Sequence, residues 1–173
     1  MLEALIFVVF PFCMVFAAVS DMLSMTIANR VSVILVATFA VAAPLTGMDW
    51  PAYGWHFAAA AAVLAATFAM FAFGAMGGGD AKLLSATALW MGFSVELVQY
   101  LVLASLIGGL MTILIVIYRG SSLASYTGGN IFLRHFADAK AGIPYGVALG
   151  IAGLLAYPST PLMIWALGRL TAL

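Results

Sequence analysis

Long apolar runs, separated by short polar stretches, are the feature that most restricts the fold of this chain. Residues 55–73, for example, contain no Asp, Glu, Lys or Arg, and a helix needs about 20 apolar residues to cross a bilayer. Charged residues make up only 7% of the sequence, against about 25% in ordinary soluble domains. The pattern therefore predicts an all-α integral membrane protein.

The apolar runs use nearly the whole length of the chain, which leaves no room for a separate soluble domain. We expect a single transmembrane domain, residues 1–173, folded as a compact bundle of about six transmembrane helices. Counted along the sequence, the expected helices are 2–20, 31–45, 55–73, 81–90, 95–118 and 142–157.

The sequence also predicts turns between the helices and leaves two helix boundaries undecided. Turns are predicted at 47–54, with Trp50 and Tyr53 at interfacial depth, and at 92–94. Residues 81–118 also fit an alternative, one long tilted helix with a re-entrant start. Residues 119–140 predict a polar loop that contains a short surface helix at 131–138. Pro158 and Pro161 interrupt the last predicted helix, so residues 158–173 either continue it with a kink or form an interfacial tail.

The basic residues predict the orientation of the bundle. Alternate connections place five of the six on one side and Arg169 on the other, and the richer side is expected to be cytoplasmic. Both chain ends then lie on the outer, periplasmic side. The five are Arg30, Lys82, Arg119, Arg134 and Lys140.

Composition excludes several kinds of site. The sequence has six basic and six acidic residues and no basic run, so nucleic acid is not an expected partner. The single cysteine, Cys13, excludes an internal disulfide and a multi-cysteine zinc site, and a packed core thiol is expected. His56 is expected to be interfacial beside Trp55, and no metal or cofactor is expected.

A glycine-rich stretch that ends in a charged pair follows the third apolar run. Residues 74–82 read Gly-Ala-Met-Gly-Gly-Gly-Asp-Ala-Lys. Glycines leave backbone groups open to the close approach of a second chain, and Asp80 stands where a new apolar helix begins. Taken alone, the stretch also fits a flexible turn with an ordinary N-cap aspartate.

A second aspartate favours a catalytic role for Asp80 over that of an ordinary N-cap. Asp21 is expected to end the first helix, and Asp80 to start the fourth, so both lie at the cytoplasmic edge and a bundle can bring them together. Two close carboxyl groups suit acid–base hydrolysis, because the first negative charge opposes the second. Helix-end charges favour Asp80 as the resting carboxylate and Asp21 as the holder of the shared proton.

These residues resemble a known family. Gly77-Gly78-Gly79-Asp80 followed by Lys82 fits the Gly-x-Gly-Asp-x-Lys signature of the type IV prepilin peptidases, which are membrane aspartyl proteases. Ser20-Asp21 with residues 26–30 resembles the family's first aspartate segment. In the short Flp/Tad-pilus branch this segment commonly ends Ile-Pro-Asn-Arg, and Ala28 replaces the proline here.

The resemblance implies an activity and a set of site residues. The expected reaction removes the short basic leader of a prepilin or pseudopilin, just before its apolar helix, at the cytoplasmic face of a bacterial inner membrane. Asp21 and Asp80 are the expected catalytic pair, and Gly77, Gly78 and Gly79 are expected to contact substrate. Lys82 either contacts substrate, tunes Asp80 or anchors the chain at the membrane surface.

The resemblance also separates this chain from larger relatives, which carry a four-cysteine cytoplasmic insertion and N-methylate the new N-terminus. With one cysteine and no such insertion, the chain is not expected to methylate. Two other readings of the paired aspartates remain: a small cation or proton channel or transporter, and a non-enzymatic subunit of a pilus or secretion assembly. The oligomeric state does not follow from the sequence.

Overall fold

The computed structural model describes residues 1–127, 134–138 and 142–171. All regular elements in these ranges are helical: α1 Leu2–Ser24, α2 Asn29–Leu45, α3 Trp50–Ala72, α4 Gly78–Met91, α5 Val95–Arg119, α6 Ser122–Thr127, α7 Arg134–Ala137, α8 Tyr145–Ala156 and α9 Pro161–Thr171. A short 3-10 turn, Tyr157–Ser159, joins α8 to α9.

Three of these helices, α1, α3 and α5, are long and apolar enough to cross a membrane. A fourth crossing is formed if α8 and α9 are taken together, although they are bent by 51° at the break between them. Because lipid cannot satisfy backbone polar groups, apolar helices of this length are typical of membrane proteins. The prediction of an all-α chain is confirmed in the described ranges, with three or four of the predicted crossings represented by helices that are long and apolar enough.

The end of α1 differs from the prediction. The helix continues past Asp21 to Ser24 and ends at Met25, which has the left-handed conformation with φ 54°. The predicted end at residue 20 is wrong because the Asp21 side chain is buried against another helix and does not need to face water. Ser24 Oγ also donates to the Ser20 carbonyl at 2.7 Å, which extends the helical hydrogen bonding into the last turn.

The start of α3 also differs from the prediction, since the helix begins at Trp50 rather than at residue 55. The Asp49 carboxylate accepts a hydrogen bond from the Ala52 amide at 3.3 Å, and Pro51 lies in the first turn, where a missing N–H costs nothing. The predicted turn at 47–54 is therefore shorter. Tyr53 is partly buried and stacks on Phe39, with 6.1 Å between ring centroids.

His56 is buried in α3, so its predicted interfacial position is wrong. Its Nδ1 lies 2.8 Å from the Leu89 carbonyl oxygen. The ring also fills the space beside Gly92, where an added Cβ would lie 2.8 Å from His56 Cε1. A polar ring becomes stable in the interior when a carbonyl group satisfies it.

α4 is the central helix of the bundle. Ala81 and all residues from 83 to 91 are buried, and Gly92 ends the helix with φ 70°. Ser94 then caps α5 by accepting a hydrogen bond from the Leu97 amide at 3.4 Å. The predicted turn at 92–94 is confirmed, and the alternative of one long helix over residues 81–118 is wrong.

An aromatic cluster joins the C-terminal end of α4 to α1 and to the 3-10 turn after α8. The Phe10 ring stacks on Tyr157 at 4.1 Å and meets Trp90 at 5.2 Å between centroids. Trp90 Nε1 donates to the Leu35 carbonyl at 3.1 Å, so α2 joins the same cluster. Cys13 is buried in this core, as predicted.

The region between α5 and α8 is more helical than expected. Residues 122–127 form α6 instead of loop, and nothing in that segment interrupts helix formation before Gly128. Within the predicted surface helix at 131–138, the described part contains α7, while residues 131–133 lie outside the described residues. Lys140 also lies outside them. Arg119 Nη2 donates to the Gly142 carbonyl at 2.9 Å, which ties the end of α5 to the start of the next segment.

The last part of the chain follows one of the two alternatives left open by the sequence. α8 starts directly after Pro144, close to its predicted start, and ends at Ala156. The chain then breaks at the 3-10 turn and continues as α9. The residues after Pro158 are therefore a bent continuation up to Thr171, the last described residue.

Candidate active site

Asp21 and Asp80 face the same cavity. The cavity has a volume of about 640 Å³ and lies between the turn that follows α3 and the helices α4, α5 and α8. The two carboxyl groups are close enough for their charges to interact. The fold thus brings together the two aspartates that the sequence singled out.

Asp21 is held in place by the start of α8. Its Oδ2 accepts a hydrogen bond from the Gly146 amide at 2.6 Å, and the side chain is only 6% exposed. Gly146 is the second residue of α8, so the carboxyl group also faces the positive end of that helix dipole. A Cβ on Gly146 would lie 2.8 Å from Asp21 Cβ, so the close approach requires glycine.

Gly146 is a site residue that the sequence reasoning missed. Its one local signal is its place just after Pro144, at a helix start where amide groups have no intrahelical partner. From the sequence, Asp21 was expected only at the negative end of α1. The positive end of α8 opposes that effect, so the helix dipoles do not favour a proton on Asp21.

Asp80 is the third residue of α4, with Gly77 in the N-cap position. It is therefore not itself the N-cap, although an acid at the third position commonly turns back toward the N-cap amide. Asp80 follows that pattern: its Oδ2 lies 2.8 Å from the place that a Cβ on Gly77 would take. Gly77 leaves the space that this carboxyl group occupies.

The glycines of the motif have different roles. Gly77 lines the cavity, whereas Gly78 and Gly79 are already helical. A Cβ on Gly78 would meet Phe71 at 3.3 Å, and one on Gly79 would meet Ile27 at 3.3 Å. These two glycines allow close packing at the start of α4, so the expectation of backbone open to a second chain fits Gly77 alone.

The glycine conformation that an L side chain disfavours occurs earlier in this turn. Gly74 has φ 73°, and none of the three glycines directly before Asp80 has a positive φ. The positive φ at Gly74 reverses the chain between α3 and α4.

Lys82 points away from the aspartates. Its Nζ donates a hydrogen bond to Asn29 Oδ1 at 2.9 Å, across to the first residue of α2. Both side chains line a second cavity, on the other side of α4, with a volume of about 720 Å³. The structure does not bring Lys82 to the cavity that contains Asp21 and Asp80.

Beyond the carboxyl groups, the first cavity has largely apolar walls, with small residues on α5. On α5 these include Ala104, Ser105 and Gly109, and Leu149 contributes from α8. Tyr145 also lines the cavity, and its hydroxyl lies 3.2 Å from Thr112 Oγ1. Such walls accommodate an apolar chain beside a polar reaction centre.

The chemistry available in this cavity is that of a carboxyl pair. Within the part of the chain that the structure describes, no three His, Cys, Asp or Glu side chains cluster closely enough to hold a metal ion. Two interacting carboxyl groups beside apolar walls can share one proton, so that one acts as a base and the other as an acid.

The model of the type IV leader peptidase family matches residues 8–117, which is more than half of the chain and includes both aspartates and the glycine-rich turn. No curated protein and no solved structure matches the chain.

Proposed function

The chain belongs to the type IV leader peptidase family, and we propose that it is an aspartyl endopeptidase that uses Asp21 and Asp80 to remove prepilin leaders. The observation that carries this proposal is the cavity shared by the two carboxyl groups. Family membership supplies the reaction class, a protease, and prepilins as substrates in general. The residue roles and the finer substrate class are our proposal.

The proposed substrate is a prepilin or pseudopilin of the Flp type, with a short basic leader followed by an apolar helix. A cavity that contains two acidic groups attracts a basic leader. The apolar walls on α5 and α8 fit the start of the apolar helix, where Ala104 and Gly109 leave space for its side chains. Gly77 is the proposed backbone contact at the cavity, and we propose no substrate contact for Lys82.

The proposed reaction divides two tasks between the carboxyl groups. The ionised group takes a proton from water, and the water oxygen attacks the carbonyl carbon of the scissile peptide bond. The protonated group donates a hydrogen bond to the carbonyl oxygen. When the C–N bond breaks, the leaving nitrogen takes the proton that the pair removed from water, so the two carboxyl groups again share one proton. Because the two groups share one proton, we assign both roles to the pair rather than to either residue.

We further propose that the chain is a single domain that crosses a bacterial inner membrane six times, with both ends on the periplasmic side. α2 and α4 would then cross although they have only 17 and 14 residues. The aspartates would act at the cytoplasmic face, where the basic residues of the connections are concentrated. The proposed enzyme needs no cofactor and does not methylate its product.

The test is cleavage of a prepilin that carries a basic leader and an apolar helix, by full-length protein in proteoliposomes. We expect Asp21→Asn and Asp80→Asn each to lower the cleavage rate by about 10³-fold or more, because each removes an acid–base group of the pair. The matched control is Asp49→Asn, which changes an N-cap on α3 to another good N-cap residue and should retain full activity.

Near-normal cleavage by either Asp21→Asn or Asp80→Asn in correctly folded protein would remove that residue from the mechanism. A chelator provides a second arm, since a carboxyl pair needs no metal ion. Complete loss of cleavage in chelator, reversed by added zinc, would contradict the aspartyl mechanism.

A further inference from the structure

The second cavity is an open groove to which three helices each contribute one face. On α2 the lining residues include Val33 and Val36, and on α3 they include Ala60 and Leu64, with helical spacing in both cases. Val33 and Leu64 are 63% and 45% exposed, so the groove opens toward the surroundings of the bundle. A side chain that lines an open apolar groove in a membrane protein faces lipid.

Polar groups in this groove are concentrated at one end. Asn29 and Lys82 lie at the starts of α2 and α4, and Ser32 lies one turn further along α2. Ser32 Oγ is buried and has no hydrogen-bond partner among the described residues. A buried hydroxyl without a partner is costly, so Ser32 gains a hydrogen bond if its side chain rotates toward a group in the groove.

The polar end of the groove is positive. Lys82 and the exposed Arg30 form no ion pair with an acidic side chain in the described part of the chain. The N-cap position of α2 is Ala28, which gives the first amide groups of that helix no side-chain acceptor. The N-terminus of α2 and the Lys82 ammonium group therefore meet at this end of the groove, and each favours an anion.

We propose that this groove binds an anionic phospholipid, with its phosphate at Asn29, Ser32 and Lys82 and one acyl chain along the apolar walls. Basic pockets between helices at a membrane surface are typical sites for anionic headgroups. From Asn29 to Ala37 the groove runs about 12 Å along α2 at 1.5 Å per residue. One leaflet of the hydrocarbon core is about 15 Å deep, so a single acyl chain fits the groove.

Charge separates this occupant from the peptidase substrate. A basic leader is repelled by Lys82 and by the positive end of α2, whereas an anionic headgroup is attracted. The proposal does not depend on the catalytic assignment. The site nevertheless lies beside it, because Asp80 and Lys82 occupy the same turn of α4 and line different cavities.

The first experiment measures lipid preference of the full-length protein in nanodiscs of phosphatidylcholine with or without phosphatidylglycerol, by competition and native mass spectrometry. We expect Lys82→Gln to lower the preference for phosphatidylglycerol about fivefold, the equivalent of about 1 kcal/mol per cation. The matched control is Arg169→Gln, which removes one positive charge from a side chain over the Trp165 ring, outside the groove, and should leave the preference unchanged.

A second pair of variants separates the groove from general surface charge. Ala61→Phe fills the apolar wall and should lower the retention of phosphatidylglycerol, whereas Ala62→Phe adds the same ring at an exposed position that does not line the groove. A phosphatidylglycerol with a photoreactive acyl chain should label residues 29–37 and 57–64 of the unmodified protein.

Three results would overturn the proposal. One is an equal preference for the two lipids in the unmodified protein, and another is labelling confined to α5 or α8. The third is crosslinking of a prepilin helix to residues 57–64 that phosphatidylglycerol does not compete away, which would make the groove a substrate site. Photolabelling uses the unmodified protein, so it decides the question even if Ala61→Phe fails to fold.

Discussion

α4 and α5 are neighbours in sequence but lie in opposite environments. α4 is short, and ten of its 14 residues are buried, among them Ser85, Thr87 and Trp90. α5 has 25 residues and carries a row of exposed apolar side chains, such as Leu110, which is 59% exposed. The helix with the larger share of polar side chains is inside the bundle, and the more apolar helix is outside.

This arrangement, the reverse of that in soluble proteins, follows because lipid rather than water surrounds the bundle. Lipid chains are as apolar as leucine, so burying a leucine against another helix gains little over leaving it in lipid. Helices in a membrane instead associate through close packing and hydrogen bonds. Residues such as Trp90 and Gly108 should therefore determine the stability of the bundle more than the apolar surface of α5 does.

The largest difference should come from shortening a large side chain in each helix. Trp90→Ala leaves a cavity in the aromatic cluster and frees the Leu35 carbonyl. We expect it to lower the free energy of unfolding by about 3 kcal/mol, at the low end for such changes because the transfer contribution is small in lipid. Leu110→Ala should cost about 0.5 kcal/mol or less. Reversible unfolding in mixed micelles with SDS measures both.

Equal losses in Trp90→Ala and Leu110→Ala would show that burial inside this bundle stabilises a side chain no more than contact with lipid does. The contrast between the two helices would then be removed.

Two adjacent glycines on α5 give a sharper comparison of intermediate size. A Cβ on Gly108 would lie 2.6 Å from Tyr145 Cε1, whereas nothing lies within 4 Å of one on Gly109. We expect Gly108→Ala to destabilise the protein by about 1–2 kcal/mol through overpacking. Gly109→Ala should be neutral or stabilising by up to about 1 kcal/mol, because alanine favours the helix. The same unfolding measurement applies.

If Gly109→Ala destabilises as much as its neighbour does, the face of α5 toward α8 is packed more uniformly than the distances indicate. Equal losses for the two variants would contradict the prediction that only Gly108 is tightly packed.

The smallest effect should come from hydroxyl groups that bond to their own helix. Thr87 Oγ1 donates to the Leu83 carbonyl at 2.9 Å in the buried helix, and Ser105 Oγ donates to the Leu101 carbonyl at 2.8 Å in the outer one. We expect Thr87→Val to cost about 0.6 kcal/mol, the usual size for buried polar pairs in membranes, and Ser105→Ala to cost less. A larger loss for Ser105→Ala would reverse the predicted order.

The sequence predicted those features whose causes are local. The turn between α4 and α5 follows from Gly92 and Ser94, which end one helix and cap the next. The start of α3 was missed although its signal is also local: Asp49 caps the helix and Pro51 occupies its first turn. That error came from giving the interfacial aromatic residues more weight than the cap.

The other features that were missed depend on partners distant in sequence. Asp21 does not end α1, because its acceptor oxygen is bonded to Gly146, 125 residues later. The direction of Lys82 follows from Asn29, 53 residues earlier. Gly79 allows close packing because Ile27 approaches it. No local pattern distinguishes a glycine that opens the backbone from one that lets another segment come close.

The attachment of α8 and α4 has a mechanical consequence. α8 is fastened to α1 at both ends, by Gly146 to Asp21 at 2.6 Å and by Tyr157 to Ile6 at 2.7 Å. α4 is anchored at Trp90, while Asp80 lies ten residues away, about 15 Å along the helix axis. A tilt of α4 by about 4° around Trp90 would displace its Asp80 end by about 1 Å. Because a misplacement of about 1 Å can cost about 10²-fold in rate, the contacts that hold the start of α4, such as the hydrogen bond from Lys82 to Asn29, set the precision of the proposed carboxyl pair.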